Sequence, residues 1–128
     1  MAHGKAIVAC RLVAAAVIGW AGATKFLATP GNVDIFTQLG MEPVGRLLIG
    51  GIEVAAAVML LVPGFAAFGA LLTVGTMFGA VLAPAPFLGA GVGGDGGLHL
   101  VLLAIVLASA GPVLVVLRRN LPIIGNTL

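Results

Sequence analysis

Tyrosine is absent from the 128-residue sequence, tryptophan and cysteine each occur once, and Asp plus Glu total only 4. Each shortage closes off a class of protein. A single thiol, Cys10, cannot form the intramolecular dithiol/disulfide couple that a membrane thiol oxidoreductase needs, so it reads as a small hydrophobe. Charged residues make up 8% of a chain that is 61% hydrophobic, at a mean hydropathy of +1.25, which is too few to clothe a soluble domain. The 6 Lys and Arg residues behind a pI near 9.3 flank apolar runs instead of forming a basic face, so nucleic acid is not a partner. No His, Cys, Asp and Glu set has metal-ligand spacing, and no motif marks a flavin, haem or covalently bound cofactor.

Long apolar runs are what the chain does have. At ~1.5 Å rise per residue a bilayer core needs ~20 apolar residues, and four stretches qualify, at about residues 6–27, 44–62, 65–83 and 98–117. The expected fold is all-α, an integral membrane four-helix bundle forming a single transmembrane domain over residues 1–128. The apolar stretch near the N-terminus exceeds the ~7 to 15 residues of a secretory h-region and is expected to be kept. Lys5 and Arg11 near the start of the first span, with Arg118 and Arg119 after the fourth, place both termini in the cytoplasm of a multi-pass cell-membrane protein.

Between the first two spans, Thr29 to Asn32 break the helix, and Val33, Ile35, Phe36 and Leu39 predict a short amphipathic helix on the outer face. Pro43 opens the second span and Pro63-Gly64 ends it in a tight turn, so the second and third spans are antiparallel neighbours. Ala15, Gly19 and Ala23 form a small-residue ridge, and Trp20 is read as packing inside the bundle. The Gly75–Gly79 pair in the third span reads as an internal packing motif, and the glycine-rich run 83–97 as a flexible loop. Pro112 is expected to kink the last span, with Ser109 bonding locally.

The chain's chemistry centres on Glu53. It lies nine residues in from Val44, roughly 13 Å along an ideal helix and near the middle of a hydrocarbon slab ~30 Å thick. A charged carboxylate there costs on the order of 2.5 to 3.5 kcal/mol by insertion scales, so it requires a proton, a cation or internal water. Arg11, Ile18 and Lys25 repeat at heptad spacing, which keeps both cations on one face of the first span, although each can also snorkel to an interface. Arg46 is about 10.5 Å from Glu53 along its own helix, too far for direct contact, so another helix supplies the partner. Arg11 and Lys25 each reach it by depth. Two readings stay open: a buried ion pair that sets which faces of the first two spans meet, and a polar pocket open to the outer leaflet. Three cations against one carboxylate leave surplus positive charge suited to a lipid phosphate, a sulfur oxyanion or a quinone carbonyl. His99, opening the fourth span after Asp95, is a further candidate for that pocket.

The order Arg11, then G-A-T-K at Gly22 to Lys25, then F-T-Q-L-G-M at Phe36 to Met41, then G-G-I-E at Gly50 to Glu53 resembles the DoxX and DoxX-like families of small four-helix membrane proteins. The resemblance runs over nearly the whole chain. It implies a four-helix bundle associated with membrane redox chemistry: the name-giving members belong to a thiosulfate:quinone oxidoreductase, and others assemble with antioxidant and sulfurtransferase partners. Arg11, Lys25 and Glu53 are then the family-type polar residues. This chain has Pro84 to Leu88 where many DoxX members carry a histidine and an Asn-Gly-Phe-Phe-like turn. It has Gly96-Gly97-Leu98-His99 where they open the last span with Gly-Gly-Tyr-Glu, so the second carboxylate is missing. That departure points to the DoxX-like branch and to a non-catalytic membrane anchor or accessory subunit of a quinone-linked redox complex, with membrane lipid, further copies of itself or redox proteins as partners and with quinone or lipid as ligand. The alternative is an oligomeric carrier of small molecules or ions, or a lipid-binding protein, using a Glu53 pocket.

Overall fold

The computed structural model describes residues 2–82 and 98–117, with side chains from residues 4 and 100 onward in the two stretches. All regular structure among the described residues is helical: α1 (Ala2–Phe26), α2 (Pro30–Gln38), α3 (Val44–Leu61), α4 (Ala66–Leu82) and α5 (Leu98–Leu117), with a 3-10 turn at Pro63–Phe65 leading into α4. Four segments, Gly4–Phe26, Val44–Leu61, Pro63–Leu82 and Leu100–Leu117, are long and apolar enough to cross a membrane. Their outward faces are apolar too. Leu12 (55% exposed), Val44 (74%), Leu82 (64%) and Val115 (61%) all point away from the bundle, which only a lipid surround tolerates. The chain is a multi-pass, all-α membrane bundle.

The helices alternate in direction, and each packs on two neighbours: α1 on α3 and α5, α4 on α3 and α5. Ile18, Leu60, Met77, Val106 and Val113 fill the centre, while Ala14, Ala21, Ala66, Ala70 and Ala110 line the seams between backbones. Lipid is as apolar as leucine, so small residues and close van der Waals contact hold such seams together, and little comes from apolar burial. The tightest seams are at Gly22 and Gly69. A Cβ on Gly22 would come within 2.8 Å of Val54 Cγ2 and 3.0 Å of the Gly50 carbonyl; one on Gly69 would come within 2.7 Å of the Leu60 nitrogen.

Several local expectations change. α2 starts at Pro30, because proline at the first helical position has no N–H to orphan and its φ is already helical; the chain breaks earlier, over residues 27–29, where Ala28 takes φ +53°. The expected ridge of Ala15, Gly19 and Ala23 is shifted. Ala23 is exposed, whereas Ala14, Ala15, Ile18, Ala21, Gly22 and Lys25 are buried, following the three-and-four rhythm of one helix face. Trp20 is 51% exposed and does not belong to the core. Gly75 and Gly79 make no internal contact among the described residues either, since a Cβ at either position would meet none of them within 4 Å. The packing face of α4 is formed instead by Ala66, Gly69, Ala70, Thr73, Met77 and Val81, and the glycine pair flanks it. Helix α5 is continuous through Pro112, and Ser109 bonds locally as expected, its hydroxyl donating to the Ile105 carbonyl at 2.7 Å. Cys10 is partly buried against the core as a free thiol.

Candidate functional site

The close seam at Gly22 and Gly50 brings α1 and α3 near enough for long side chains to cross between them. A Cβ on Gly50 would lie 3.1 Å from Lys25 Cβ, so the Lys25 stem runs directly over the α3 backbone. Helical side chains lean toward the N-terminus of their own helix, and for Lys25, the penultimate residue of α1, that direction leads into the bundle. The ammonium accordingly turns inward, lying 2.9 Å from Glu53 Oε2 and donating to Oε1 at 3.1 Å, with a longer 3.5 Å contact to the Ala21 carbonyl. Lys25 is 6% exposed and Glu53 0%. Snorkelling of Lys25 to the interface is thereby ruled out. Glu53 sits midway along α3 with its charge matched across the seam, which is how a carboxylate survives at that depth.

The other cations are employed elsewhere. Arg46 Nε donates to both oxygens of Glu42, at 2.9 Å each, and its NH2 lies 2.8 Å from Glu42 Oε1. Its remaining fork nitrogen, NH1, donates to the Lys25 carbonyl at the end of α1. Arg11 Nε donates to the Leu60 carbonyl in the last turn of α3 at 2.7 Å. Both arginines therefore donate to carbonyls in the last turn of a helix, and the Lys25 carbonyl also accepts from the Ala28 N–H at 3.2 Å. Of the three cations expected around Glu53, Lys25 is brought to the carboxylate, while Arg11 and Arg46 are bonded elsewhere. The partner of Arg46 was legible in the four-residue spacing of Glu42 and Arg46, a spacing that brings opposite charges together along a helix. Nothing in the sequence announces the two arginine-to-carbonyl bonds. His99 has its backbone in the first turn of α5, but its side chain, like Asp95 and the run 83–97, lies outside the described residues.

Above the ion pair, α2 forms a roof. Asn32 donates to Thr24 Oγ1 at 3.1 Å and to Thr29 Oγ1 at 2.8 Å, tying α2 back to the end of α1, while Phe36 is buried beneath it. Two cavities open under this roof. One of about 420 Å³ runs between α2, α3 and α4, past Ile49, Ile52, Leu72, Gly75, Thr76 and Gly79. The other, about 280 Å³, lies toward α1 and α5, with Trp20, Met77 and Leu102 in its wall. Lys25, Asn32 and Ile35 line both. The missing side chains of Gly75 and Gly79, read from the sequence as a packing motif, are what leave the larger slot open along α4. Asn32 and Thr24 had no motif to single them out; a polar pair flanking a helix break is common in any loop.

Compared with protein-family models, with curated proteins and with solved structures, the chain matches none, and the DoxX resemblance gains no support there.

Proposed function

We propose that this chain is a non-catalytic membrane subunit that holds a lipid-class molecule in the slots beneath α2 and serves as anchor or accessory component of a quinone-linked redox complex in the cell membrane. The observation that carries the binding part is the buried Lys25–Glu53 pair, whose ammonium forms part of the wall of two otherwise apolar slots. Its redox setting is supported by the DoxX-type order of Arg11, Lys25 and Glu53 in the sequence. The distribution of Lys5, Arg11, Arg118 and Arg119 supports cytoplasmic termini, with the α2 roof and the slots then toward the outer leaflet. Extraction in mild detergent followed by native mass spectrometry tests the reading: the chain is expected to carry a bound lipid or quinone, a redox-protein subunit, or both. A bare monomer with neither overturns it.

A carrier working past Glu53 is the second reading, favoured by one observation, an ion pair buried at midspan. Both slots lie at the α2 end, so a path would have to cross the sealed layer of Ile18 and Leu60, each 0% exposed. Flux into proteoliposomes that persists unchanged in Glu53→Gln removes this alternative.

A further inference from the structure

We infer that the smaller slot beneath α2 holds the hydroxyl head of an amphiphile, which donates a hydrogen bond to the Asn32 amide oxygen. This assignment rests on the binding reading above and specifies the head group of its ligand. The hydrogen-bonding inventory of Asn32 decides it. A primary amide has two N–H donors and one acceptor oxygen. Both donors are in use, one on Thr24 Oγ1 at 3.1 Å and one on Thr29 Oγ1 at 2.8 Å. Thr24 fixes which end of the amide faces which way. Its single hydroxyl proton goes to the Ala21 carbonyl at 2.8 Å, so toward Asn32 it can only accept, and the amide nitrogen must be the atom beside it. The oxygen is left at the other corner of the planar amide. It accepts from none of the described residues, and it ends a side chain that lines both slots.

Thr29 presents the complementary group in the wall of the smaller slot. Its oxygen accepts from Asn32, it caps no backbone N–H of α2, and its hydroxyl proton goes to none of the described residues. One ligand hydroxyl meets both needs, giving its proton to the Asn32 oxygen and accepting the proton of Thr29. A ketone, ether or carboxylate oxygen can only accept, so it answers Thr29 and leaves the Asn32 oxygen stripped of water and unpaired beneath it. A hydrocarbon answers neither. Trp20, Ile35, Met77 and Leu102 supply an apolar wall for the rest of the ligand. At the ~30 Å³ that one water-sized heavy atom takes up in a liquid, a slot of about 280 Å³ holds on the order of nine atoms, a head group with a short chain or the end of a longer molecule.

The chemistry is common to a free alcohol or phenol, a quinol included, and to the free hydroxyl of a bilayer lipid such as diacylglycerol. Trp20 is the chain's one tryptophan, the chain has no tyrosine, and Trp20 stands in the wall of the smaller slot, so its fluorescence reports occupancy by a bromine-bearing probe. The experiment uses the full chain in phosphatidylcholine liposomes with four probes at neutral pH: 8-bromo-1-octanol, its methyl ether, 1-bromooctane and 8-bromooctanoate. Saturable quenching is compared at equal probe concentration in the membrane. The alcohol is expected to half-saturate at about fivefold lower concentration than the ether, the increment of one net hydrogen bond, with bromooctanoate no better than the ether. The alcohol-to-ether ratio is read within each variant, so a general loosening of α2 cancels. Asn32→Leu, similar in size and without the acceptor, is expected to bring that ratio to about one, whereas Thr29→Val should preserve it, because Thr24 still orients the amide. Added diacylglycerol separates the sources: competition with the alcohol identifies a lipid hydroxyl as the resident head, and none identifies a free compound; both uphold the selection. Alcohol and ether binding alike in wild type, bromooctanoate binding as tightly as the alcohol, or a ratio unchanged in Asn32→Leu overturns the inference and leaves the binding reading standing. If no probe quenches saturably in wild type, the binding reading falls with it.

Discussion

Arg11 and Arg46 perform the same task on each other's helices. Arg11 of α1 donates to the Leu60 carbonyl in the last turn of α3, and Arg46 of α3 donates to the Lys25 carbonyl in the last turn of α1. Along each helix the interval from arginine to capped carbonyl position is the same, about four turns. The α1–α3 pair is therefore held by a local two-fold arrangement whose midpoints are Ile18 and Glu53, both 0% exposed. The symmetry ends at those midpoints. Lys25 reaches Glu53, whereas the equivalent positions Leu60 and Ile18 are apolar, so the buried ion pair lies in the half beneath α2.

Arginine geometry is central to this arrangement, because one fork must serve a carbonyl and, in Arg46, a carboxylate as well. Arg46→Lys keeps the charge and loses the fork, and it is expected to lower the unfolding midpoint in detergent clearly, more than Arg11→Lys does. Removing the Arg11 bond to Leu60 in Arg11→Gln should cost about 1.5 to 3 kcal/mol, the range for hydrogen bonds to charged groups. Denaturation followed by circular dichroism reads both, and a loss in Arg46→Lys no larger than in Arg11→Lys contradicts the double duty of the Arg46 fork.

Glu53→Gln leaves the Lys25 ammonium uncompensated in the seam, with an expected loss of about 3 to 5 kcal/mol. The double variant Lys25→Met with Glu53→Gln should recover much of that loss, since the stranded charge goes with it. By contrast, Arg11→Gln and Glu53→Gln should combine additively, because Arg11 bonds to Leu60 and not to the carboxylate. Additivity in the Lys25 pair, or coupling in the Arg11 pair, would reverse the assignment of the partner.

The glycines separate seams from slots. Gly22→Val and Gly69→Val force side chains into backbone at 3.0 Å or less and should destabilise the bundle strongly, with Gly22→Val also weakening the Lys25–Glu53 contact. Gly75→Ala meets none of the described residues within 4 Å and should be neutral or stabilising by up to about 1 kcal/mol, the helix-propensity difference. Thermal midpoints of the purified variants distinguish them. A destabilised Gly75→Ala would mean that this face is packed and not open.

Topology has its own check. Reporter tags fused to the two ends should both be shielded from an impermeant label in intact cells and both react after lysis, as the Lys and Arg distribution predicts. Labelling of both in intact cells inverts the orientation and moves the slots to the cytoplasmic leaflet.

Composition and apolar run length alone were enough to establish four spanning helices and their boundaries to within a few residues at most ends, because a bilayer demands about twenty apolar residues whatever those residues later touch. That the isolated carboxylate at Glu53 needs a proton, a cation or internal water followed from the cost of charge in hydrocarbon. Which cation answers was decided only by tertiary structure. Arg11 and Lys25 share a face of α1 and lie at comparable depths from Glu53, so periodicity cannot rank them; the tilt of side chains toward the helix N-terminus and the close approach at Gly22 and Gly50 select Lys25, and the end of α3 takes up Arg11. The same holds for glycine. Gly22 and Gly75 are alike in sequence, each in a small-residue pattern, yet one lies in a seam and the other beside a slot, because which face of a helix meets its neighbour depends on the rotation of the whole bundle and not on any local signal.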